Sequence, residues 1–342
     1  MNTHIPVINN LRGIAASAVC YFHFVSTTQN YIHNKLIRNI FDFGDHGVYM
    51  FFVISGIVIP LSMIKSNYSY KNWGRFVGKR FMRLEPPYIC AVIIAIIYFQ
   101  IRLHIPNTAP YDMMLTKKEL LLHLGYLVPF VDGARWAFPS LWTLSIEFQY
   151  YLLLSIIFPL FNKRFGRYFA YLLFLIMPLT GIHGGLFPYH ATMFLTGIAY
   201  ALWYTGWIEK KEYLIITSLC FGVSLFVLPV TFLIAVLLTI LIVHFAASYH
   251  NKYLGFLGAI SYSLYLLHQV TGTPVINFLS HYMREPYQKP FVIMIGFAIS
   301  VASAYVLYKI VELPSLRFSK SIRYGENVPV KSAAIYQQRK NL

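Results

Sequence analysis

Charge is what this sequence has least of. Only 12% of its 342 residues are Asp, Glu, Lys or Arg, and the acidic ones number 12 against 28 basic. That is about half the usual charged share, too little to clothe one large or two ordinary soluble domains. Cysteine is as sparse: Cys20, Cys90 and Cys220 are odd in number, far apart and set in apolar runs. A disulfide framework and a CxxC metal site are thereby excluded. None of the twelve histidines belongs to an HExxH or similar ligand pattern, so no metal is expected. Internal repeats and low-complexity tracts are lacking as well. The first apolar segment has no basic leader or small-residue cleavage site and carries Arg12 in its middle. It is expected to stay as a span rather than leave as a signal peptide.

What is there in abundance is apolar length. Apolar residues make up 57% of the chain and aromatics 18%, and runs near membrane-spanning length recur from end to end. The expected fold is all-α: a polytopic membrane helix bundle of about ten transmembrane helices, near 7–27, 44–64, 84–103, 141–161, 168–186, 189–207, 212–229, 230–248, 253–276 and 290–312. The stretch 119–131 is apolar but short, carries His123 and ends in Pro129 and Asp132; it reads as interfacial or re-entrant. With ten spans and both termini cytoplasmic, 19 of the 28 basic residues and 5 of the 12 acidic ones face the cytoplasm, a net +14 there against +2 outside. Counting 119–131 as a span would send the Lys163/Arg164/Arg167 loop and the basic tail outside, against the positive-inside rule. The net charge of +16 is therefore chiefly an orientation signal, and nucleic acid is not an expected partner. Residues 1–314 form the expected transmembrane domain and 315–342 a basic cytoplasmic tail.

Ionisable side chains inside a bilayer are costly, so each needs a partner or a task. Arg12 and His23 lie eleven residues apart in the first span, hence on one helix face and about 16 Å apart along the axis. Glu147 in the fourth span and His268 in the ninth reach the same outer-half level as His23, some 21–24 Å above their inner ends. At the opposite face Arg80 and Arg83, spaced i, i+3, introduce the third span. They read either as a topology anchor or as guanidinium forks for a polyanionic phosphate ligand.

These residues sit in a recognisable frame. The run Asn10-Leu11-Arg12-Gly13 through Tyr21-Phe22-His23 resembles the R/K-x10-H signature of the acyltransferase-3 integral membrane acyltransferases. Gly47 through Gly56 resembles their GVxxFFVLSG segment, and Arg80-Phe81-Met82-Arg83 their R-x-x-R stretch. Leu141 through Tyr151 is similar to their WSLxxExxFYL pattern, Ser261 through His268 to SYSLYLxH, and Glu312-Leu313-Pro314 to the terminal ExP. Six motifs stand in order over residues 10–314. Two positions depart from the pattern. Tyr49 stands where many members carry an acid, and Thr143 replaces the commoner Ser.

The resemblance implies transfer of an acyl group, most often acetyl from cytoplasmic acetyl-CoA or another acyl-CoA, to a hydroxyl of a carbohydrate at the outer face of a bacterial inner membrane. On that reading the chain lacks the hydrolase-like extension of some members, so the bundle acts alone or with a separate partner. Arg12, Arg80 and Arg83 would hold the phosphates of the donor. His23, with an ordinary pKa suited to proton transfer, would act as base, with Glu147 as its orienting carboxylate. An acyl-histidine intermediate is the competing chemistry. Trp142, Tyr150 and His268 are the candidate substrate-binding residues; Ser145 and Tyr265 join Tyr150 and His268 as possible oxyanion donors. Ser55 and Gly56 read as packing residues beside the first span, and Glu312 as a structural partner of Arg80 or Arg83. The alternative class is a transporter or flippase of a glycan or lipid-linked sugar, whose intramembrane charges form a path. Acceptor identity, acyl length and oligomeric state stay open.

Overall fold

The computed structural model describes residues 5–26, 31–104, 115–182 and 185–322. Among the described residues the chain is helical throughout, with no strand. The helices are α1 (Val7–Ser26), α2 (Lys35–Asp42), α3 (Gly47–Lys65), α4 (Trp73–Leu103), α5 (Lys117–His123), α6 (Trp142–Ile157) and α7 (Arg164–Ile176). They continue with α8 (Phe187–Tyr204), α9 (Lys210–Val227), α10 (Val230–Phe245), α11 (Lys252–Ala259), α12 (Ser261–Ser280), α13 (Lys289–Leu307) and α14 (Leu313–Ser321). Each of the ten expected windows holds a helix, and the ninth holds two, broken at Ile260. Four helical stretches are long and apolar enough to cross a membrane: Lys35–Lys65, Tyr70–Leu103, Pro139–Asn162 and Lys289–Ser321. α10 is apolar but shorter.

Outward faces carry what water would not tolerate. On α9 and α10 alone Leu214, Leu219, Phe226, Ile234, Leu237 and Phe245 are exposed, an apolar belt far beyond the patches of a soluble surface and suited to lipid. Between membrane helices small residues permit close approach. A Cβ on Gly197 of α8 would stand 2.3 Å from the Val53 carbonyl oxygen, and one on Gly56 of α3 2.3 Å from that of Phe194. The last glycine of that segment, Gly56, thus seats α3 on α8, while its first, Gly47, seats α3 on the first span, where a Cβ would stand 2.5 Å from the Ala15 carbonyl oxygen. A Cβ on Gly258 of α11 would fall 1.8 Å from the Asn9 carbonyl oxygen, which draws α11 onto α1 just beside Arg12. α1 therefore runs through the middle, flanked by α3, α11 and α12.

Two local devices position the site. The stretch after α4 is stopped by a capping box: Thr116 Oγ1 accepts from the Glu119 amide at 3.2 Å and Glu119 Oε2 from the Thr116 amide at 2.7 Å, fixing the start of α5. Its continuation turns inward, so that Tyr126, with φ 57°, is buried and stacks on Phe148 at 4.9 Å. At the other end a π turn, Tyr308–Glu312, joins α13 to α14. α14 docks on α4, where Ser319 Oγ donates to the Lys79 carbonyl at 2.9 Å, so residues 315–321 pack with the bundle. Residues 323–342 of the expected tail lie outside the described residues, as do 105–114 with Asp112.

Candidate active site

Two cavities flank the partition formed by α3 and α6. The inner one, about 80 Å³, is lined by Arg12 from α1, Ser55 and Phe51 from α3, Arg83 from α4, Glu147 and Thr143 from α6, and Tyr262 and Tyr265 from α12. Arg12 lies within electrostatic range of Arg83, Glu312, Glu147 and Tyr151. Glu147 Oε1 accepts from Ser55 Oγ at 2.7 Å and from the Tyr151 hydroxyl, one helical turn on. Glu312 Oε2 accepts from Ser263 Oγ at 2.6 Å and from the Ser263 amide at 3.3 Å, inside the SYSLYLLH run. Two guanidinium groups and two carboxylates thus share one interior, each carboxylate held by hydroxyl donors, as buried charge requires.

The histidines gather beyond that cavity, neither of them among its lining residues. The His23 and His268 rings are 5.0 Å apart between centroids. His268 Nδ1 donates to the Tyr265 carbonyl at 2.8 Å; a carbonyl accepts only, so Nδ1 bears the proton and Nε2 keeps its lone pair. That Nε2 is buried with no hydrogen-bond partner among the described residues. Gln269, the next residue, holds His23. Its Oε1 accepts from the Ser140 amide at 3.5 Å and from Ser140 Oγ at 3.2 Å, which fixes the amide orientation, so its Nε2 donates to the His23 ring, 3.0 Å from Nδ1 and 3.3 Å from Nε2. The chain continues inward: the Tyr265 hydroxyl donates to the Ser140 carbonyl at 2.8 Å and lies 2.8 Å from Thr143 Oγ1. Since Tyr265 and Thr143 line the inner cavity, hydrogen bonds run unbroken from its wall to His23.

The expected site residues lie as follows. The Glu147 carboxylate is turned to Ser55 and Tyr151; equal depth along two helices leaves their facing directions free. Gln269, an uncharged neighbour of the SYSLYLLH motif, is the residue hydrogen-bonded to His23, and the only sequence signal was its adjacency to His268. Arg83 reaches the inner cavity, whereas Arg80 is not among its lining residues. Arg80 is 4% exposed, its guanidinium 5.2 Å from the Phe76 ring centroid and 5.7 Å from that of Tyr151. Tyr150 is fully buried, stacked on Phe194 at 4.2 Å, and lines neither cavity. Ser145 Oγ donates to the Tyr126 carbonyl at 2.9 Å and pins the inturned segment. Ser55, read as a packing residue, is a Glu147 donor. Glu312 bonds Ser263 rather than Arg80 or Arg83.

The outer cavity, about 780 Å³, is lined by Tyr49, Pro129, Arg135, Trp136, Pro139, Trp142, Tyr189 and His190. It faces the other side of α3 and α6, and Trp142, expected to bind substrate, belongs to it.

An all-helical bundle with a lipid-suited belt and a charged, histidine-bearing interior is an integral membrane protein built for chemistry on its inside. The chain matches the acyltransferase-3 family, described as an acyltransferase domain, over residues 5–309 and belongs to that family; it is a membrane acyltransferase. Comparison with curated proteins and with solved structures gives no match.

Proposed function

We propose that the protein moves an acetyl group from cytoplasmic acetyl-CoA to a hydroxyl of a surface or lipid-linked carbohydrate, as a multi-pass protein of a bacterial inner membrane with ten spans and both termini inside. The observation that carries this reading is the hydrogen-bonded line from the cavity of Arg12, Arg83 and Glu147 to His23. The lining of the inner cavity supports an acyl thioester as donor: apolar walls of Val48, Phe51, Ile54 and Leu144 suit an extended chain, and two guanidinium groups suit its anionic end. Arg12 and Arg83 hold that end. Arg80 acts on the same site through Tyr151, which it faces and which donates to Glu147.

At the outer end His23, held by Gln269, takes the proton of the acceptor hydroxyl while the oxygen attacks the thioester carbonyl carbon. The C–S bond then breaks, and the thiolate receives the proton from His23, so that thiol and ester leave in balance. His268 presents its Nε2 lone pair to the same space and orients the acceptor hydroxyl. Positioning across the membrane supplies much of the advantage, because donor and acceptor meet without diffusing through lipid. An acyl-His23 intermediate is the second route, and acid-quenched protein carrying label on histidine would favour it over direct transfer.

Purified protein in lipid nanodiscs with acetyl-labelled CoA and a carbohydrate should yield labelled ester. Labelled CoA that is never consumed, alongside saccharide carried across vesicles, would instead favour a glycan transporter or flippase. Reporter fusions after residues 135 and 165 should lie on opposite sides of the membrane, the second inside; an external residue 165 would overturn the ten-span topology.

A further inference from the structure

The outer cavity has a chemistry of its own. Its walls are rings: Tyr49, Trp136, Trp142, Tyr189 and His190. Tyr49 stacks on Phe232 at 4.1 Å, and Trp142 lies 5.7 Å from His190, so two of the wall rings are backed by others. Among the described lining residues no carboxylate occurs, and the cationic Arg135 is neutralised by Glu119, Nε to Oε1 at 2.9 Å and Nη2 to Oε2 at 3.3 Å. The result is a wide, uncharged cleft of rings with polar tips. At about 780 Å³ it falls within the roughly 300–1,000 Å³ of small-molecule sites.

Its position matters as much as its chemistry. The turn Pro139–Leu141 leads into Trp142. Pro139 and Trp142 line the cleft, while Ser140 between them gives both its amide and its hydroxyl to the Gln269 that holds His23. One short turn thus has the cleft on one side and the histidine line on the other. The segment 129–137 lines the cleft and is tied down twice. Glu119 accepts from the Arg135 amide at 3.1 Å besides its ion pair, and His123 Nε2 accepts from the Ala137 amide at 3.0 Å.

We propose that this cleft seats an uncharged sugar ring of the acceptor, stacked on Trp142 and Tyr49, and that Tyr49 sets its preference for neutral over charged saccharides. The proposal rests on the carbohydrate-acylating reading above and names the acceptor class for it. An aromatic face meets the apolar face of a sugar ring, while the hydroxyl and indole N–H tips reach its oxygens. At position 49 an acid would put an unpaired negative charge into a cleft that has none.

The probes are the neutral trisaccharides maltotriose, chitotriose and mannotriose, titrated against the intrinsic tryptophan emission of the full chain in nanodiscs. At least one should shift the emission saturably. Trp142→Ala should weaken that binding tenfold or more, Trp142→Phe should retain most of it, and Tyr49→Asp should weaken it while CoA binding stays within twofold of wild type, which shows that the variants fold. No shift with any of the three, or wild-type affinity in both Trp142→Ala and Tyr49→Asp, overturns the proposal. Label transfer from acetyl-CoA, run in parallel, separates the two readings. Saccharide that binds at the cleft but is never acetylated sinks the transferase reading alone. Acetylation whose acceptor KM is unmoved by Trp142→Ala sinks the cleft alone.

Discussion

The two cavities on either side of α3 and α6 are opposites. The inner one is narrow, and its ions, Arg12, Arg83 and Glu147, project from three helices. The outer one is wide and ring-lined, and six of its ten lining residues, five within 129–139 and Gly185, lie outside the α-helices. Buried ions must be held by donors wherever they point, so the inner cavity is rigid by electrostatic necessity. Rings need only packing, so the outer one is free to vary in shape with few changes. A transferase that keeps one donor and suits many acceptors is well served by that split.

Substitutions that act on one side and spare the other test it. The largest effect is expected at His23, to which the hydrogen bonds from the inner cavity's wall lead. His23→Ala should lower transfer by roughly 10²–10⁴-fold, the usual worth of a general base, while binding of CoA and of saccharide persist; full transfer in that variant would remove His23 from the chemistry. Next comes the inner cavity. Arg83→Ala should raise the KM for acetyl-CoA about ten- to a hundredfold, in keeping with about 1.5–3 kcal/mol for a charge-assisted hydrogen bond, with the acceptor KM unchanged. Arg80→Ala should move CoA affinity far less and lower the melting temperature instead, since its cation–π contacts are worth about 0.5–2 kcal/mol. Equal losses of CoA affinity in the two variants would return Arg80 to the cavity wall.

Gly197→Ala tests the partition. Its Cβ would press on the Val53 carbonyl and push α3 away from α8 at a cost of about 1–3 kcal/mol. Because α3 lines both cavities, acetyl-CoA and acceptor KM values should rise together, and a change in only one would mean the cavities move independently. The smallest effect concerns the wall of the outer cleft. The Arg135 guanidinium and the Thr116 amide hold the Glu119 carboxyl down at about 2. Its ionised form is favoured in the folded state, so the Glu119–Arg135 tie is fully present above the ordinary carboxylate range and fades as the pH falls through about 2. Trp136 emission should report that acid transition, and in Glu119→Gln it should be missing.

The sequence carried the helices better than it carried their facing. Apolar runs located α1, α3, α8 and α13 to within a few residues, because every backbone group in lipid must be bonded within its own segment. They did not reveal the break at Ile260, where Ser261 Oγ donates to the Gly258 carbonyl at 2.9 Å and Gly258 sits close on Asn9. Arg12, His23, Glu147 and His268 stood out because charge is costly in a bilayer. Gln269, Ser140 and Thr143 did not, since neutral polar groups carry no such flag and their importance lies in which neighbour they meet. Tyr150 was drawn in by its motif, and its ring is buried and stacked on Phe194.

The π turn at Tyr308–Glu312 has a consequence for how the chain tolerates changes in length. A π turn holds one residue more than the α-helical turn it replaces, and each residue in a helix swings its neighbours by about 100°. Loss of a single residue between Tyr308 and Val311 would leave composition and hydropathy almost untouched and make the helix more regular. Because the lost residue is the one the π turn holds in excess, Glu312 and α14 would keep nearly the same facing, and the docking of α14 on α4 would largely survive. Elsewhere in these helices the loss of one residue swings all that follows by about 100°, so a scan of single deletions scored by label transfer should show this stretch as a narrow window of tolerance.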